Sequence, residues 1–197
     1  MSNQHKLYAI LGGGGSGKDT VRKMLVQNHP DRFISAISHT TRPMRSEETG
    51  SEYYFIDVET FQAMYERAEF IETREYVVAS NEVWFYGYTV EEIERCLKQG
   101  NIVMIVDLDG FKVFKEVFDE KCVGIYLDVH RDIRIQRYLN RDEITFEMVE
   151  ESVRRVKDDD DRAFVGVLDW VDYCIQPINS PTAMKQILKI VEKMEGE

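Results

Sequence analysis

The chain has 197 residues, 43% of them hydrophobic and 31% charged, with a formal net charge of −11. That length supports a domain with a substantial core and room for a small insertion, while the acidic balance argues against a nucleic acid partner, because such a surface repels a polyphosphate backbone. A site for an anionic ligand must then be a local basic patch, and the three scattered cysteines, Cys96, Cys122 and Cys174, lack metal-binding spacing.

Leu7–Leu11 is a short apolar run ending in glycines, which predicts a buried strand. Lys18–Asn28 has helical character and stops before Pro30. From about residue 38 to residue 88 the rhythm changes to short, paired strand patterns rich in aromatic residues, with one helix expected near Val58–Arg67. Thr89–Gln99 predicts a helix capped by Thr89, with Glu92 completing a capping box and Gly100 ending it. Strands are expected at Ile102–Asp107, Cys122–Leu127 and Val171–Ile175. Helices are expected at Asp109–Phe118, His130–Leu139, Phe146–Asp161 and Thr182–Met194. This alternation predicts an α/β fold with a doubly wound parallel sheet. The longest apolar runs, such as Ile102–Val106, are strand-sized, and no signal peptide is recognised. The expectation is a cytoplasmic protein without a membrane partner; the oligomeric state stays open.

The segment Gly12, Gly13, Gly14, Gly15, Ser16, Gly17, Lys18, Asp19, Thr20 follows a predicted strand and opens a predicted helix. Glycines let backbone N–H groups converge on phosphate oxygens, and the helix N-terminus adds partial positive charge. Gly12, Gly17 and Lys18 carry the Walker spacing, with Lys18 expected on the β- and γ-phosphates of ATP. Asp19 stands where that loop supplies a hydroxyl. It is the tentative Mg²⁺ ligand, directly or through water, with Thr20 or a purely helix-terminal role as the other readings.

A second basic turn follows. Ser38, Arg42 and Arg45, with Tyr53 downstream, offer bidentate guanidinium and hydroxyl donors to a monophosphate. Read alone, such a turn is equally a solvated loop.

Together these blocks resemble the guanylate kinase family. The residues that carry the likeness are the glycine-rich loop, Thr40-Thr41-Arg42-Pro43-Met44-Arg45, Glu48, Gly50, Tyr53-Tyr54-Phe55, Glu69-Phe70-Ile71-Glu72, Tyr86-Gly87 and Asp107-Leu108-Asp109-Gly110. The likeness runs from about Leu7 to Tyr173. It implies a P-loop kinase: a core at about 1–37, 89–140 and 162–197, an inserted mixed α+β nucleoside-monophosphate-binding subdomain at about 38–88, and a helical lid at about 141–161. It implies transfer of phosphate from ATP, with Mg²⁺, to GMP or dGMP. Ser38, Arg42, Arg45, Tyr53 and Tyr86 would hold the acceptor phosphate, and Glu72 would face the guanine ring, whose N1–H and 2-amino groups are paired donors. Asp107 and Asp109 would lie at the strand end near the acceptor. Arg137, Arg141 and Arg154 would serve the donor side, with Lys18, Arg42, Arg141 and Arg154 as the catalytic cations.

Asp158–Asp161 reads as an exposed helix face or loop. Three features depart from the family's pattern: Asp19, Tyr88 after the Tyr-Gly pair, and a longer stretch at Thr73–Phe85. Ribose bisphosphate phosphokinases and other monophosphate kinases on the same fold, and non-catalytic guanylate-kinase-like binding modules, are the competing readings; the intact Gly17 and Lys18 argue against the last.

Overall fold

The structure, a computed structural model, describes residues 5–44, 48–50, 53–77, 82–140 and 145–196. Arg45 and Arg141, both expected at the site, lie outside the described residues. The chain opens with β1 (Leu7–Leu11), α1 (Lys18–Asn28) and β2 (Phe33–Ser35). The segment that broke the sequence rhythm holds β3 (His39–Thr40), β4 (Tyr54–Phe55), α2 (Val58–Glu66), β5 (Phe70–Val77) and β6 (Val83–Thr89). Then come α3 (Val90–Leu97), β7 (Asn101–Ile105), α4 (Leu108–Phe118), β8 (Cys122–Leu127), α5 (Arg131–Leu139), α6 (Phe146–Asp158), β9 (Tyr173–Ile175) and α7 (Ser180–Glu195).

Two sheets form. The five-stranded sheet has the order β2-β7-β1-β8-β9 with parallel pairing throughout. Every residue of β1 is buried, as a strand covered on both faces requires. Its alternation splits the core. Leu7, Ala9 and Leu11 pack with Ile93, Phe111 and Phe114, while Tyr8 and Ile10 pack with Leu25, Ile187 and Val191. Helices therefore cover both faces, as a doubly wound sheet demands. The strand order reverses at β1, and ligands bind in the crevice beyond the carboxyl end of such a strand. The glycine loop lies there. The second sheet has the order β4-β3-β6-β5 and is built on the long antiparallel β5–β6 pair.

Several boundaries differ from the sequence-based expectation. β2 was missed because only three residues form it and Phe33 alone of them is fully buried. β9 begins two residues late, at Tyr173. The helix expected to run through Asp161 changes to a π-turn at Asp159–Ala163. Thr89 does accept from the Glu92 N–H, at 3.3 Å, but Glu92 does not close a capping box. Its carboxylate accepts from the Ile37 N–H at 2.9 Å and pairs with Arg95, so it ties α3 to the chain entering the second sheet. No helix among the described residues is long and apolar enough to cross a membrane.

Candidate active site

The loop after β1 is built by backbone geometry. Gly15 and Gly17 have φ of 80° and 94°, the left-handed region that penalises a β-carbon. A β-carbon at Gly15 would also stand 2.8 Å from the Arg134 carbonyl oxygen. Ser16 is buried, and its hydroxyl has no hydrogen-bond partner in the described structure. A buried donor without a partner is costly, and an anion in the loop would satisfy it. Lys18 donates to the Gly12 carbonyl at 2.6 Å and to that of Gly13 at 3.2 Å. Burial pushes the Lys18 ammonium below the usual lysine range, opposed by Asp19 and Asp159.

Side chains from α5 and the π-turn enclose this loop. Arg137 donates to the Gly15 and Ser16 carbonyls at 3.0 and 2.9 Å, so it braces the loop. Arg134, which sequence reasoning missed, is buried against it. Its guanidinium donates to the Val129 carbonyl and is ion-paired with Asp159 and Asp160. Asp159 accepts from the Gly14 N–H at 2.5 Å. The acidic run is therefore not simply solvated. Asp159 and Asp160 turn inward to Arg134, while Asp158 and Asp161 stay half-exposed. Burial pushes the Asp159 carboxyl above its ordinary range. Arg154 pairs with Glu151 at 2.7 Å and lines a cavity of about 420 Å³ with Gly14, Tyr138 and Asp159.

A cavity of about 320 Å³ joins the loop to the second sheet. Lys18 and Asp19 form one wall, and Ser38, Tyr53 and Tyr86 form another. Its size is at the lower end of small-molecule sites. Burial pushes the Tyr53 phenol up to about 12, so it is a neutral hydroxyl donor at neutral pH. Tyr53, Tyr86 and Tyr76 meet edge to face, with centroids 5.9 and 5.4 Å apart. Arg22, Arg74 and Arg155 also reach this cavity, and none was singled out from the sequence. The signals were present. Arg22 is one helical turn after Lys18, and Arg74 and Tyr76 share a strand face with Glu72.

Other expected residues sit elsewhere. Arg42 is buried, donating to the Glu48 carboxylate at 2.6 Å and the Pro43 carbonyl at 2.8 Å beneath the rings of Tyr53 and Phe55. Glu72 does not line the cavity that holds Ser38, Tyr53 and Tyr86. It borders a separate cavity of about 540 Å³ with Asp109 and Gly110. Asp107 caps α4 by accepting from the Gly110 N–H at 2.8 Å and takes a hydrogen bond from the Tyr76 hydroxyl at 2.9 Å. Asp109 is exposed and pairs with Lys112. The Glu72 cavity is the larger, but neither the glycine loop nor the first turn of α1 lines it.

For a divalent cation the donor set is sparse. No cluster of three His, Cys, Asp or Glu side chains forms among the described residues. Mg²⁺ takes one or two carboxylates, phosphate oxygens and water, and Asp19, exposed in the first turn of α1 and lining the cavity with Lys18, fits that role. Thr20 is exposed and does not line that cavity.

The family model described as guanylate kinase matches residues 4–173. A guanylate kinase from Prochlorococcus marinus subsp. pastoris is 27% identical over 98% of this chain and 100% of its own. One from Campylobacter jejuni subsp. jejuni serotype O:2 is 30% identical over 81% of this chain and 76% of its own. A crystal structure of guanylate kinase from Anaplasma phagocytophilum superposes with a TM-score of 0.71 at 21% identity, covering 98% of this chain and 87% of that one, which speaks for the fold.

Proposed function

Because the chain belongs to the guanylate kinase family, we propose that it transfers the γ-phosphoryl group of ATP to the phosphate of GMP or dGMP. The observation that carries this reading is the single cavity that Lys18 and Asp19 share with Ser38, Tyr53 and Tyr86. It sets a donor cradle opposite hydroxyl donors suited to a second phosphate. The transfer needs alignment and charge neutralisation more than covalent help. The acceptor phosphate is itself the nucleophile, so no strong base is required.

In this reading the loop amides, Ser16 and Lys18 hold the ATP phosphates, and Arg137 keeps the loop in shape. Ser38, Tyr53, Tyr86 and Arg45 orient the acceptor phosphate; Arg42, paired with Glu48 in this structure, reaches it only by exchanging that carboxylate for the phosphate. Segment 38–88 is the monophosphate-binding insertion and 141–161 the lid, from which Arg141, Arg154 and Arg155 stabilise the transferring group and exclude water. Mg²⁺, held by Asp19 and the phosphates, neutralises phosphate charge when bound. The reaction is assigned to the cytoplasm, since three unpaired cysteines suit a reducing compartment.

A coupled assay of ADP formation against GMP, dGMP, AMP, UMP and ribose bisphosphate tests the reading. GMP or dGMP should give the highest kcat/KM, and a preference for ribose bisphosphate would overturn it. Arg42→Ala should raise the KM for GMP by roughly ten- to a hundredfold, the value of one charge-assisted contact, with kcat less affected. Unchanged GMP saturation would remove Arg42 from the acceptor site.

Asp19→Asn should raise the Mg²⁺ concentration needed for half-maximal rate, and excess Mg²⁺ should largely restore activity. An unaltered Mg²⁺ requirement with a lowered unfolding temperature would instead assign the Asp19 charge to the α1 N-terminus.

A further inference from the structure

The cavity between the glycine loop and the second sheet is a basic site on an acidic chain. Lys18, Arg22, Arg74 and Arg155 line it, and among the described residues Asp19 is the only carboxylate that does. Three of these cations are already engaged. Lys18 is turned to the loop carbonyls, Arg74 lies 3.0 Å from Glu72, and Arg155 lies 2.7 Å from Glu151. Arg22 differs. Its side chain keeps 13% exposure, yet the one carboxylate within ion-pair distance in the described structure, Asp19, stands 3.6 Å from its Nη2, beyond hydrogen-bond reach. Its Nη1 donates to the Ser35 hydroxyl at 2.8 Å, and its Nε is buried without a hydrogen-bond partner in the described structure. A largely buried guanidinium with one neutral partner and a loose carboxylate is under-compensated, and an anion in the cavity would relieve it. Local structure sets its position. Arg22 follows Lys18 by four residues, so the two share a face of α1. Ser35 ends β2, where the chain leaves the core for the second sheet, three residues before Ser38. Burial pushes the Tyr53 and Tyr88 phenols up, and the Arg22 charge works against that rise at both rings, which also line the cavity.

We propose that Arg22 is a further phosphate-binding residue of the acceptor site: its guanidinium, anchored by Ser35, takes an oxygen of the GMP phosphate alongside Ser38 and Tyr53. This rests on the reading of the cavity as the acceptor site. The contact adds to those of the Thr40–Arg45 turn, where Arg42 is paired with Glu48. A guanidinium suits the task because it stays charged and offers a planar fork to phosphate oxygens. Lys18 and Arg22 then place a donor-side and an acceptor-side cation on one rigid helix, which fixes the spacing of the two phosphates that react.

The test is calorimetric titration of the wild type and Arg22→Met with GMP and, separately, with ATP, alongside steady-state turnover and inhibition by guanosine. Arg22→Met keeps the length of the side chain and its fit to a helix while removing the charge. It should bind GMP roughly ten- to a hundredfold more weakly, the worth of one charge-assisted contact, with a matching rise in the KM for GMP. ATP affinity should stay within a few-fold of the wild type. Guanosine, which lacks the phosphate, should inhibit the wild type and the variant equally. Arg22→Gln, which keeps a donor for Ser35, should show the same pattern and covers the case in which the methionine variant does not fold. Ser35→Ala removes the anchor and leaves the guanidinium, so it should weaken GMP less than either. A folded Arg22→Met or Arg22→Gln with unchanged GMP affinity overturns the proposal. So does an equal loss of GMP and guanosine binding, which would mean that Arg22 shapes the pocket without touching the phosphate. A lowered unfolding temperature in both Arg22→Met and Ser35→Ala with GMP affinity retained overturns it too, because Arg22 would then only tie α1 to β2. A wild type that prefers ribose bisphosphate, with a raised KM for it in Arg22→Met, would overturn the guanine reading and leave Arg22 in its role.

Discussion

Lys18→Ala is expected to lower kcat by at least about a hundredfold with the fold intact. The loss corresponds to roughly 2.7 kcal/mol or more of transition-state stabilisation, within the range of electrostatic groups aimed at developing charge. Lys18 is the one cation built into the glycine loop, and its ammonium is held by loop carbonyls beside the backbone amides that would face the phosphates. Its described hydrogen bonds go to the Gly12 and Gly13 carbonyls, outside both core clusters, so thermal unfolding should change little. The pH profile gives a second check. Burial lowers the Lys18 pKa, so the charged form is complete at low pH and is lost as pH rises, earlier than for a free lysine. Activity should fall on the alkaline side, and that limb should shift upward in Lys18→Arg, whose guanidinium does not titrate there. A folded Lys18→Ala with near-normal rates would mean that the loop is not the phosphate cradle.

Arg134→Ala should lower stability measurably. Removing one partner from a fully buried ion pair costs about 3–5 kcal/mol because the remaining charge is left uncompensated. Asp159 and Asp160 keep 22% and 30% of their side-chain exposure, so solvent reduces the penalty to about 2–3 kcal/mol. For a chain of this length that lowers the unfolding midpoint by roughly 4–12 °C. Arg154→Ala is the control. Its pair with Glu151 is more exposed, and such pairs are worth about 0–1 kcal/mol. Equal, small shifts in both variants would show that the inward turn of Asp159 and Asp160 does not anchor the lid side of the loop.

Much of the frame was legible in the sequence for physical reasons. β1 and the glycine loop announce themselves because a strand buried on both faces is continuously apolar and a phosphate cradle needs glycine at left-handed positions. The long helices were found from their periodicity. What stayed hidden depended on tertiary pairing. β2 has three residues and no alternation to read. Asp159 looked like part of a solvated acidic run, and its inward turn follows from the π-turn and from Arg134, which lies 25 positions earlier. Arg74 looked like an ordinary strand residue until Glu72 and Asp107 were seen on either side of it. Arg42 illustrates the converse. The motif that flags it was plain, yet its guanidinium is turned to Glu48 and the Pro43 carbonyl.

The most direct test of the central claim follows the transferred atom. ATP labelled with ³²P in the γ position, incubated with the protein, Mg²⁺ and GMP, should yield GDP carrying the label in its β-phosphate, with little labelled inorganic phosphate and no labelled product when GMP is omitted. Label found only in inorganic phosphate, or in no product at all from a folded protein that binds both nucleotides, would contradict the account.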